Sequence, residues 1–535
     1  MYLRSIGWIL VMKHLSEKSV FRVVVVALVL ATFYRLYPLI SGDRVLSAAF
    51  MTEDGYLMLT VARNMAIGLG MSVSDGTIPS NGVQPIATFL FAVPYWLTDG
   101  DKISGLWGVQ LIGAAISVIG VFTVRAFARE ALMPQDKSHI WPWLVAALWY
   151  SGQHVLLHTM NGLETGLYAV AVTTTLVIFT RLLAKGEDAK FSDRMLLGTA
   201  GGITFLVRVD AIFLLLVIAI VWILHEIFVA RKRGGRIAQE AAAPMLLAAI
   251  IAAPWLINNY VNFGSIIPVS GTAQALSGGF AKNADLVPAV MFEYFFPMLP
   301  IPHALQFNPI FQTLASAIVV LIGGTFFIQV WRREGAVRYA ILAYLIFAFV
   351  MVAYYGFYFG AGWFLSRYLS PLAPLFIVAT LSVALSLLTR VTPVHGKTIV
   401  RGLGVASLVL CFGLLGRLLI PGVKEQGHFQ VVDWVTENVP KDVWAGAIQT
   451  GTLGYWHDRT INLDGKVNPD ALDAILTEGN VLNYVLNSQI EYLADWHGIA
   501  AWTTTNNRGN DAFSDGFEVL VQDPVRNLDV LKRKN

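Results

Sequence analysis

The sequence predicts a polytopic α-helical membrane protein of about 11 transmembrane helices, followed by a small C-terminal α/β domain on the outer side. Hydrophobic residues make up 56% and charged residues 14% of the 535-residue chain, whereas a soluble domain has about 25% charged residues. Several apolar runs approach the roughly 20 residues that a helix needs to cross a bilayer. After Ile420 the composition changes to mixed charges and short alternating segments.

The apolar runs predict the spanning helices in chain order. The first run, Phe21 to Ile40, has no small-residue cleavage site after it, so we interpret it as a retained anchor. The stretch 84–98 is apolar but short, which predicts an interfacial helix, a re-entrant helix or a short span. The predicted spans lie near residues 21–40, 105–124, 140–157, 163–183, 195–207, 211–229, 243–262, 310–330, 339–358, 368–389 and 402–420.

The basic residues of the short loops predict the orientation in the membrane, because cytoplasmic loops carry an excess of Lys and Arg. If the stretch 84–98 does not cross, the basic clusters fall on the same side as the N-terminus. If it crosses, the bias reverses. We therefore expect a cytoplasmic N-terminus and an outer C-terminus. Among the predicted cytoplasmic residues are Arg231, Lys232, Arg233 and Arg236, then Arg332, Arg333 and Arg338, and then Arg390, Lys397 and Arg401.

The change of composition after the last predicted span sets the domain boundary. We expect a transmembrane domain over 1–421 and an extracytoplasmic soluble domain over 422–535. The turn Asn462-Leu463-Asp464-Gly465 and the alternation from Trp444 to Ile448 are typical of a small α/β domain. The net charge of +3 argues against a nucleic-acid partner, and the single cysteine, Cys411, excludes an internal disulfide and a cysteine metal cluster.

Unusual polar residues gather on the predicted outer side. Two adjacent carboxylates, Glu53 and Asp54, follow the first span, and charges beside a membrane are costly enough to indicate a site. A solvated loop is the alternative interpretation of this pair. A cavity with acids at one end and arginines nearby suits a reaction that needs a base and an anion clamp. The other polar residues of this side include Asn81, Gln84, His158, Glu164, Arg208, Asp210, Asn258, Ser270, Arg367 and Tyr368.

Several of these residues also have structural interpretations. Arg208 and Asp210 could pair with each other where two helices meet, and Arg367 could extend to lipid headgroups. Asn258 could cap or bridge helices. His154 and His158 are four residues apart and could share a metal ion, but lone interfacial histidines are more common. We therefore predict no metal site. No cofactor is certain, and a divalent metal stays an alternative without a ligand cluster to support it.

The order of these motifs resembles the polytopic glycosyltransferases of the GT-C superfamily. The resemblance covers most of the chain, and its motifs are most similar to bacterial arabinofuranosyl- and mannosyltransferase-like members. The acidic pair is Glu-Asp here, where many relatives have Asp-Asp or Asp-Glu, which leaves open which carboxylate is the base. The motifs are Glu53-Asp54-Gly55-Tyr56, Asp75-Gly76, Asn81-Gly82-Val83-Gln84-Pro85, Asn161-Gly162-Leu163-Glu164-Thr165, Leu206 to Asp210, Pro254 to Asn259, Ser366-Arg367-Tyr368, Gly446 to Tyr455 and Asn462 to Asn468.

The resemblance implies an enzyme of the bacterial cytoplasmic membrane whose active site faces the periplasm. Its donor would be a polyprenyl-phosphate sugar, with arabinofuranose or mannose as the sugar, and its acceptor a hydroxyl of a cell-envelope glycan, lipid or protein. Membrane lipids are further partners, and nucleic acid is not. Asp54 or Glu53 would be the general base, and the short amphipathic stretch 84–98 would frame the access of the lipid. Arg208, Arg367, Tyr368 and Asn258 would bind the donor phosphate. Asn81, Gln84, His158, Glu164, Asp210, Ser270, Gln449, Asp464 and Lys466 would line the substrate site.

Two other functions fit a polytopic chain. A transporter or flippase for lipid-linked glycans would share the spans and the buried charges, but it more often shows internal repeats and helices broken near the midplane. An O-antigen ligase or polymerase would place its key residues in one large late outer loop. The loop 263–309 offers only His303, Asp285 and Glu293 for that purpose, so we rank this function lower.

Overall fold

The computed structural model describes residues 16–42, 50–132, 138–231, 234–360, 362–415, 429–497 and 515–534. The helices of these ranges are, in chain order, α1 (Glu17–Leu36), α2 (Pro38–Ser41), α3 (Glu53–Ala66), α4 (Pro85–Leu97), α5 (Lys102–Leu132), α6 (Ile140–Ser151), α7 (Gln153–Met160), α8 (Thr165–Lys185), α9 (Phe191–Val207), α10 (Ala211–Phe228), α11 (Gly234–Phe263), α12 (Val269–Ala275), α13 (Val287–Phe295), α14 (His303–Gln306), α15 (Pro309–Trp331), α16 (Val337–Phe357), α17 (Leu365–Leu369), α18 (Ala373–Val391), α19 (Gly396–Leu415), α20 (Phe429–Asn438), α21 (Gly451–Trp456), α22 (Pro469–Glu478) and α23 (Leu482–Asn487).

The predicted polytopic helical architecture is confirmed. Among the described residues, nine helices are long and apolar enough to cross a membrane. Two predicted spans correspond to shorter helices, because the stretch 140–157 forms α6 and α7, divided at Gly152, and the stretch 195–207 forms the 17-residue α9. The stretch 84–98 forms α4, whose 13 residues are fewer than a span needs. Residues 416–420 of the last predicted span lie outside the described ranges.

Small residues let the helices of the bundle pack closely, as is usual in membranes. A Cβ atom at Gly198 of α9 would lie 2.5 Å from the Pro244 carbonyl oxygen of α11. A Cβ atom at Gly120 of α5 would lie 2.4 Å from the indole ring of Trp149. Each glycine therefore sets the distance between two neighbouring helices.

The loop between the first two long helices, residues 50–101 as described, contains α3, α4 and a two-stranded hairpin. Thr52 caps α3 by accepting a hydrogen bond from the Gly55 amide at 3.1 Å. Glu53 and Asp54 occupy the first turn of α3, where the helix dipole favours negative charge. The hairpin strands are β1 (Ser72–Val73) and β2 (Ile78–Pro79). We call residues 50–101 the first loop.

The C-terminal residues form the expected α/β domain, in which α20 to α23 accompany a five-stranded mixed sheet. The strand order is β4-β3-β5-β7-β6. The first three strands of that order run parallel, and β7 is antiparallel to both of its neighbours. The predicted boundary at 421/422 falls among residues outside the described ranges. The strands are β3 (Trp444–Ala447), β4 (Thr460–Asn462), β5 (Ile490–Asp495), β6 (Phe517–Asp523) and β7 (Leu528–Arg533).

The C-terminal domain is attached to the first loop and to the first residue of α5 by polar contacts. Lys102 Nζ lies 2.9 Å from Asp458 Oδ1, and the Ser74 hydroxyl donates to the Thr460 carbonyl oxygen at 2.5 Å. The hydroxyl groups of Tyr95 and Tyr455 are 2.9 Å apart and buried. These contacts hold the segment 455–460 of the C-terminal domain against the first loop and the start of α5.

Candidate active site

A cavity of about 770 Å³ lies between the helix bundle, the first loop and the C-terminal domain. Its volume is in the range of ligand pockets, roughly 300–1,000 Å³. The structural elements that surround it are α3, the connection between α9 and α10, α11, α12, α16, α17 and the segment after β4. The cavity therefore joins residues from nearly the whole length of the chain.

One end of the cavity is apolar and open at the surface of the helix bundle. Ile212, Ile266 and Ile267 line this end and are also exposed, with 41%, 55% and 54% of their surface accessible. Phe205 and Leu256 extend the same apolar wall. An exposed apolar opening of this kind is suited to an acyl or prenyl chain. Gln84, which directly precedes α4, lines the cavity, but no residue of α4 itself does, so α4 does not form this opening.

The other end of the cavity is charged and centres on Asp54. Arg367 Nη1 donates to Asp54 Oδ2 at 2.7 Å, and Lys466 Nζ lies 3.4 Å from Asp54 Oδ1. Lys466 comes from the C-terminal domain and also lies 3.3 Å from Asp464 Oδ2. Burial alone would raise the pKa of Asp54, but Lys466 and Arg367 outweigh burial and hold that pKa well below its usual range. The Asp54 carboxyl group is therefore an anion with a cation on each oxygen.

Arg208 forms a second charged group in the same cavity, at the connection between α9 and α10. Its Nε lies 3.2 Å from Asp210 Oδ2 and 3.8 Å from Glu164 Oε1. The Tyr355 hydroxyl donates to Asp210 Oδ2 at 2.5 Å, and the guanidinium lies 4.5 Å from the ring centroid of Tyr368. The predicted structural pairing of Arg208 with Asp210 is thus present, and both residues nevertheless line the cavity.

Several buried polar atoms of the lining have no hydrogen-bond partner among the described residues. They are the donors Arg208 Nη1 and Arg367 Nε and the acceptors Gln84 Oε1 and Asp210 Oδ1. An unsatisfied buried donor costs about 1–3 kcal/mol, so such groups require a functional or solvent explanation. The two guanidinium nitrogens are suited to an anion such as a phosphate, which accepts several charge-assisted hydrogen bonds.

Glu53 is not among the residues that line the cavity, although it is adjacent to Asp54. Its Oε2 accepts a hydrogen bond from the Thr452 amide at 3.1 Å, and its Oε1 accepts another from the Thr452 hydroxyl. A Cβ atom at Gly451 would lie 1.9 Å from the Glu53 carbonyl oxygen, so the two segments are in close contact. Burial raises the pKa of Glu53 to about 7, against the Thr452 hydrogen bonds that lower it. Glu53 therefore anchors the C-terminal domain.

The other predicted site residues divide into two groups. Asp54, Gln84, Glu164, Arg208, Asp210, Ser270, Arg367, Tyr368 and Lys466 all line the cavity. Asn81, His158, Asn258, Gln449 and Asp464 are outside its lining. Asn81 is buried and accepts from the Val269 amide at 3.0 Å, which positions α12 beside the cavity. Asn258 accepts a hydrogen bond from Asn262 of its own helix at 2.8 Å. The backbone amide of Gln449 donates to Asp495 Oδ2 at 3.2 Å.

The two adjacent acids of α3 already have polar partners. Both Asp54 oxygens already face cations, and the Glu53 oxygens are bonded to Thr452. His154 Nε2 lies 3.0 Å from Glu293, and His158 Nε2 lies 3.0 Å from the Ser366 hydroxyl. Within the described ranges, no group of three or more His, Cys, Asp or Glu side chains is arranged to hold a metal ion.

Some residues of the site were not predicted from the sequence. Tyr355 donates to Asp210, and its ring stacks on Tyr368 with centroids 4.3 Å apart. Thr452 binds Glu53 from the C-terminal domain. The pair Tyr354-Tyr355 near the end of an apolar helix was a usable signal, because tyrosines concentrate at membrane interfaces. Nothing in the sequence around Thr452 indicated its partner.

Comparison with solved structures shows the type of fold. The oligosaccharyltransferase AglB from Archaeoglobus fulgidus, solved with an inhibitory peptide and a dolichol-phosphate, has a TM-score of 0.58 at 12% identity, covering 94% of this chain and 72% of that chain. ArnT from Cupriavidus metallidurans, solved with undecaprenyl phosphate, has a TM-score of 0.56 at 14% identity, covering 95% of this chain and 97% of that chain. The fold is therefore GT-C-like, as the motifs predicted, whereas these two structures do not test the predicted similarity to arabinofuranosyl- and mannosyltransferase-like members.

Two further comparisons concern the sequence. A family model described as a domain of unknown function (DUF8728) matches residues 421–520, which include Thr452 and Lys466. No match to this chain is found among the curated proteins.

Proposed function

We propose that this protein is a membrane glycosyltransferase that moves a sugar from a polyprenyl-phosphate donor to an acceptor hydroxyl. The observation that carries the proposal is the cavity, which joins a surface-open apolar end to a charged end containing Asp54, Arg208, Arg367 and Lys466. A lipid phosphate has matching ends, with a long apolar chain and an anionic head. The solved structures of similar fold contain dolichol-phosphate and undecaprenyl phosphate, which supports the same class of donor here.

In the proposed reaction, the acceptor oxygen attacks the anomeric carbon of the sugar and the configuration inverts. The new carbon–oxygen bond forms as the bond between the anomeric carbon and the phosphate oxygen breaks, and the lipid phosphate leaves with the electron pair. Asp54 takes the hydroxyl proton as general base, a role that contributes about 10²–10⁴-fold. Because the phosphate stabilises its own negative charge, a second acid is less necessary than in glycoside hydrolysis.

The cations of the cavity have the complementary role. Arg367 and Arg208 line the cavity, and each has a buried nitrogen without a partner among the described residues. A planar guanidinium can bind a phosphate through two parallel hydrogen bonds. We propose that these two arginines hold the donor phosphate while the aromatic ring of Tyr368, which lies between them in contact with both, keeps their orientation.

The sugar, the acceptor and the location are finer parts of the proposal. The resemblance to arabinofuranosyl- and mannosyltransferase-like members favours arabinofuranose or mannose, transferred to a cell-envelope glycan, lipid or protein. The resemblance favours the bacterial cytoplasmic membrane, and the distribution of basic loops favours a cavity on the outer, periplasmic side. Glu164 and Asp210 are carboxylates of the cavity that can accept hydrogen bonds from sugar hydroxyls.

The test is transfer of a radiolabelled sugar from extracted polyprenyl-phosphate sugars to a cell-envelope acceptor fraction by the purified full chain. Wild type should transfer label, and Asp54→Asn should reduce the rate by about 10²–10⁴-fold because the amide keeps the shape but loses the basicity. Glu53→Gln is the matched control, since the neighbouring carboxylate does not line the cavity. Movement of the lipid across vesicles without any transfer would instead identify a flippase.

A further inference from the structure

The ion pairs of Asp54 raise a question about the resting enzyme. Arg367 donates to one carboxylate oxygen at 2.7 Å, and Lys466 lies 3.4 Å from the other. A carboxylate that is neutralised in this way is a poor proton acceptor, because a cation on each oxygen favours the ionised form. A general base in this state needs a change in its surroundings before it can act.

The contacts of Lys466 show how such a change can occur. Its ammonium lies between two carboxylates at nearly equal distances, 3.4 Å from Asp54 Oδ1 and 3.3 Å from Asp464 Oδ2. Both distances are long for a charge-assisted hydrogen bond, which is usually about 2.7–2.9 Å. The lysine side chain is a flexible four-carbon stem. Lys466 can therefore leave Asp54 and keep Asp464 as a counter-ion.

Arg367 holds Asp54 more closely but has a further donor available for a second partner. Only one of its terminal nitrogens is used for Asp54, and its Nε is buried without a hydrogen-bond partner among the described residues. The ring of Phe364 lies 4.6 Å from the guanidinium carbon and supports one of its faces. Asp54, Arg367 and Lys466 all line the same cavity. An anion that enters this cavity therefore meets the two cations that neutralise Asp54.

We propose that the donor phosphate displaces Asp54 from Lys466 and Arg367, so that the base becomes free only when the lipid donor is bound. This inference rests on the proposed function and assigns Lys466, a residue of the C-terminal domain, to the control of the base. When the lipid phosphate product leaves, both cations return to Asp54. Their return favours the ionised carboxylate, so the proton that Asp54 took from the acceptor passes to water and the resting state is restored.

The exchange makes a prediction about lipid binding that does not depend on sugar transfer. If Asp54 competes with phosphate for Lys466 and Arg367, then Asp54→Asn removes the competitor and should tighten binding of a polyprenyl monophosphate by about tenfold, the equivalent of one charge-assisted contact. Lys466→Met should weaken binding by a similar factor. In the double variant, the gain from Asp54→Asn should shrink to about twofold or less, because one of the two released cations is missing.

The experiment measures the Kd of undecaprenyl monophosphate for the full-length protein in detergent, with wild type, both single variants and the double variant. Lys466→Gln serves as a second substitution at that position, and unliganded thermal unfolding confirms that each variant is folded. If Asp54→Asn lowers the Kd by the same factor in the wild-type and the Lys466→Met backgrounds, the effect is a general one of charge removal. That result would overturn the inference. Weaker binding by Asp54→Asn would overturn it as well. Absence of lipid binding by wild type would instead refute the proposed function.

Discussion

The Glu53 carboxylate accepts hydrogen bonds from both the amide and the hydroxyl of Thr452, with the amide nitrogen 3.1 Å away. These residues belong to the first turn of α3 and to the first turn of α21, so the contact joins the first loop to the C-terminal domain. Of two adjacent acids, Asp54 therefore faces the cavity and Glu53 holds the domain that supplies Lys466. This division of roles leads to the predictions that follow.

Glu53 should make the stability of the protein depend on pH. Burial raises the pKa of Glu53 from 4.5 to about 7. Because the folded state favours the protonated form, this contribution to stability is complete below about pH 4.5 and is lost as the pH rises through 7. The loss amounts to about 3 kcal/mol at 1.36 kcal/mol per pKa unit. The Tm in detergent should therefore fall between pH 5 and pH 8.

The variant Glu53→Gln separates this effect from others, because the amide mimics the protonated acid and does not titrate. Its Tm should exceed that of wild type at pH 8 and differ little at pH 5. Burial raises the pKa of Asp495 to about 6. This group should therefore cause a smaller decline of Tm with rising pH in both wild type and variant. Parallel curves for wild type and variant would contradict the assignment of Glu53.

Substitutions at Arg208 and Asp210 should affect the stability of the protein and its lipid binding separately. Arg208→Ala leaves Asp210 and Glu164 buried without their cation, which should cost about 3–5 kcal/mol. The double variant Arg208→Ala/Asp210→Ala should recover much of that stability but not the affinity for undecaprenyl phosphate. Thermal unfolding and lipid binding measure the two properties. If affinity also returns in the double variant, Arg208 is structural and another group must bind the phosphate.

The close contact between Gly82 and Lys466 should be essential for catalysis. A Cβ atom at Gly82 would lie 2.1 Å from the Lys466 carbonyl oxygen, so Gly82→Ala must move the segment that carries the lysine. A displacement of about 1 Å can cost about 10²-fold in rate. We therefore expect a loss of transfer activity of that order without loss of the folded helix bundle. Gly324→Ala is the control, because a Cβ atom there meets nothing within 4 Å.

Cysteine labelling checks the orientation in the membrane. The chain has one cysteine, and Cys411 is buried with 2% of its surface accessible, so it gives little background. Lys441→Cys and Arg390→Cys place single thiols at exposed positions in the C-terminal domain and at the end of α18. A membrane-impermeant maleimide should label the first in intact cells and the second only after permeabilisation. The reverse result would place the C-terminal domain in the cytoplasm.

The helices of the bundle were largely predictable from the sequence. A lipid environment forces each spanning segment to satisfy its backbone internally, so apolar length alone locates most spans. The predicted run 339–358, for example, corresponds to Val337–Phe357. The break at Gly152 was not predicted, although the polar residues Ser151, Gln153 and His154 beside the glycine were a usable signal.

The site was only partly predictable. The sequence located the cavity residues Asp54, Arg208 and Arg367, since charges in apolar surroundings are conspicuous. The sequence did not distinguish the role of Glu53 from that of Asp54, because this distinction required recognising that a helix begins at Glu53. Thr52 followed by two acids was the available signal, since such residues favour a helix N-terminus. The contact of Asp54 with Lys466 spans 412 residues and depends on packing that one sequence does not show.

The position of Lys466 also has a consequence for how the protein is made. A ribosome synthesises the carboxylate of residue 54 early and its lysine partner 412 residues later. In the interval the helices can insert and pack, but the charged end of the cavity stays incomplete. In the predicted orientation, the lysine reaches it only after the last part of the chain has been translocated and folded. A nascent or truncated chain that ends before this residue would therefore occupy the membrane with an incomplete transfer site.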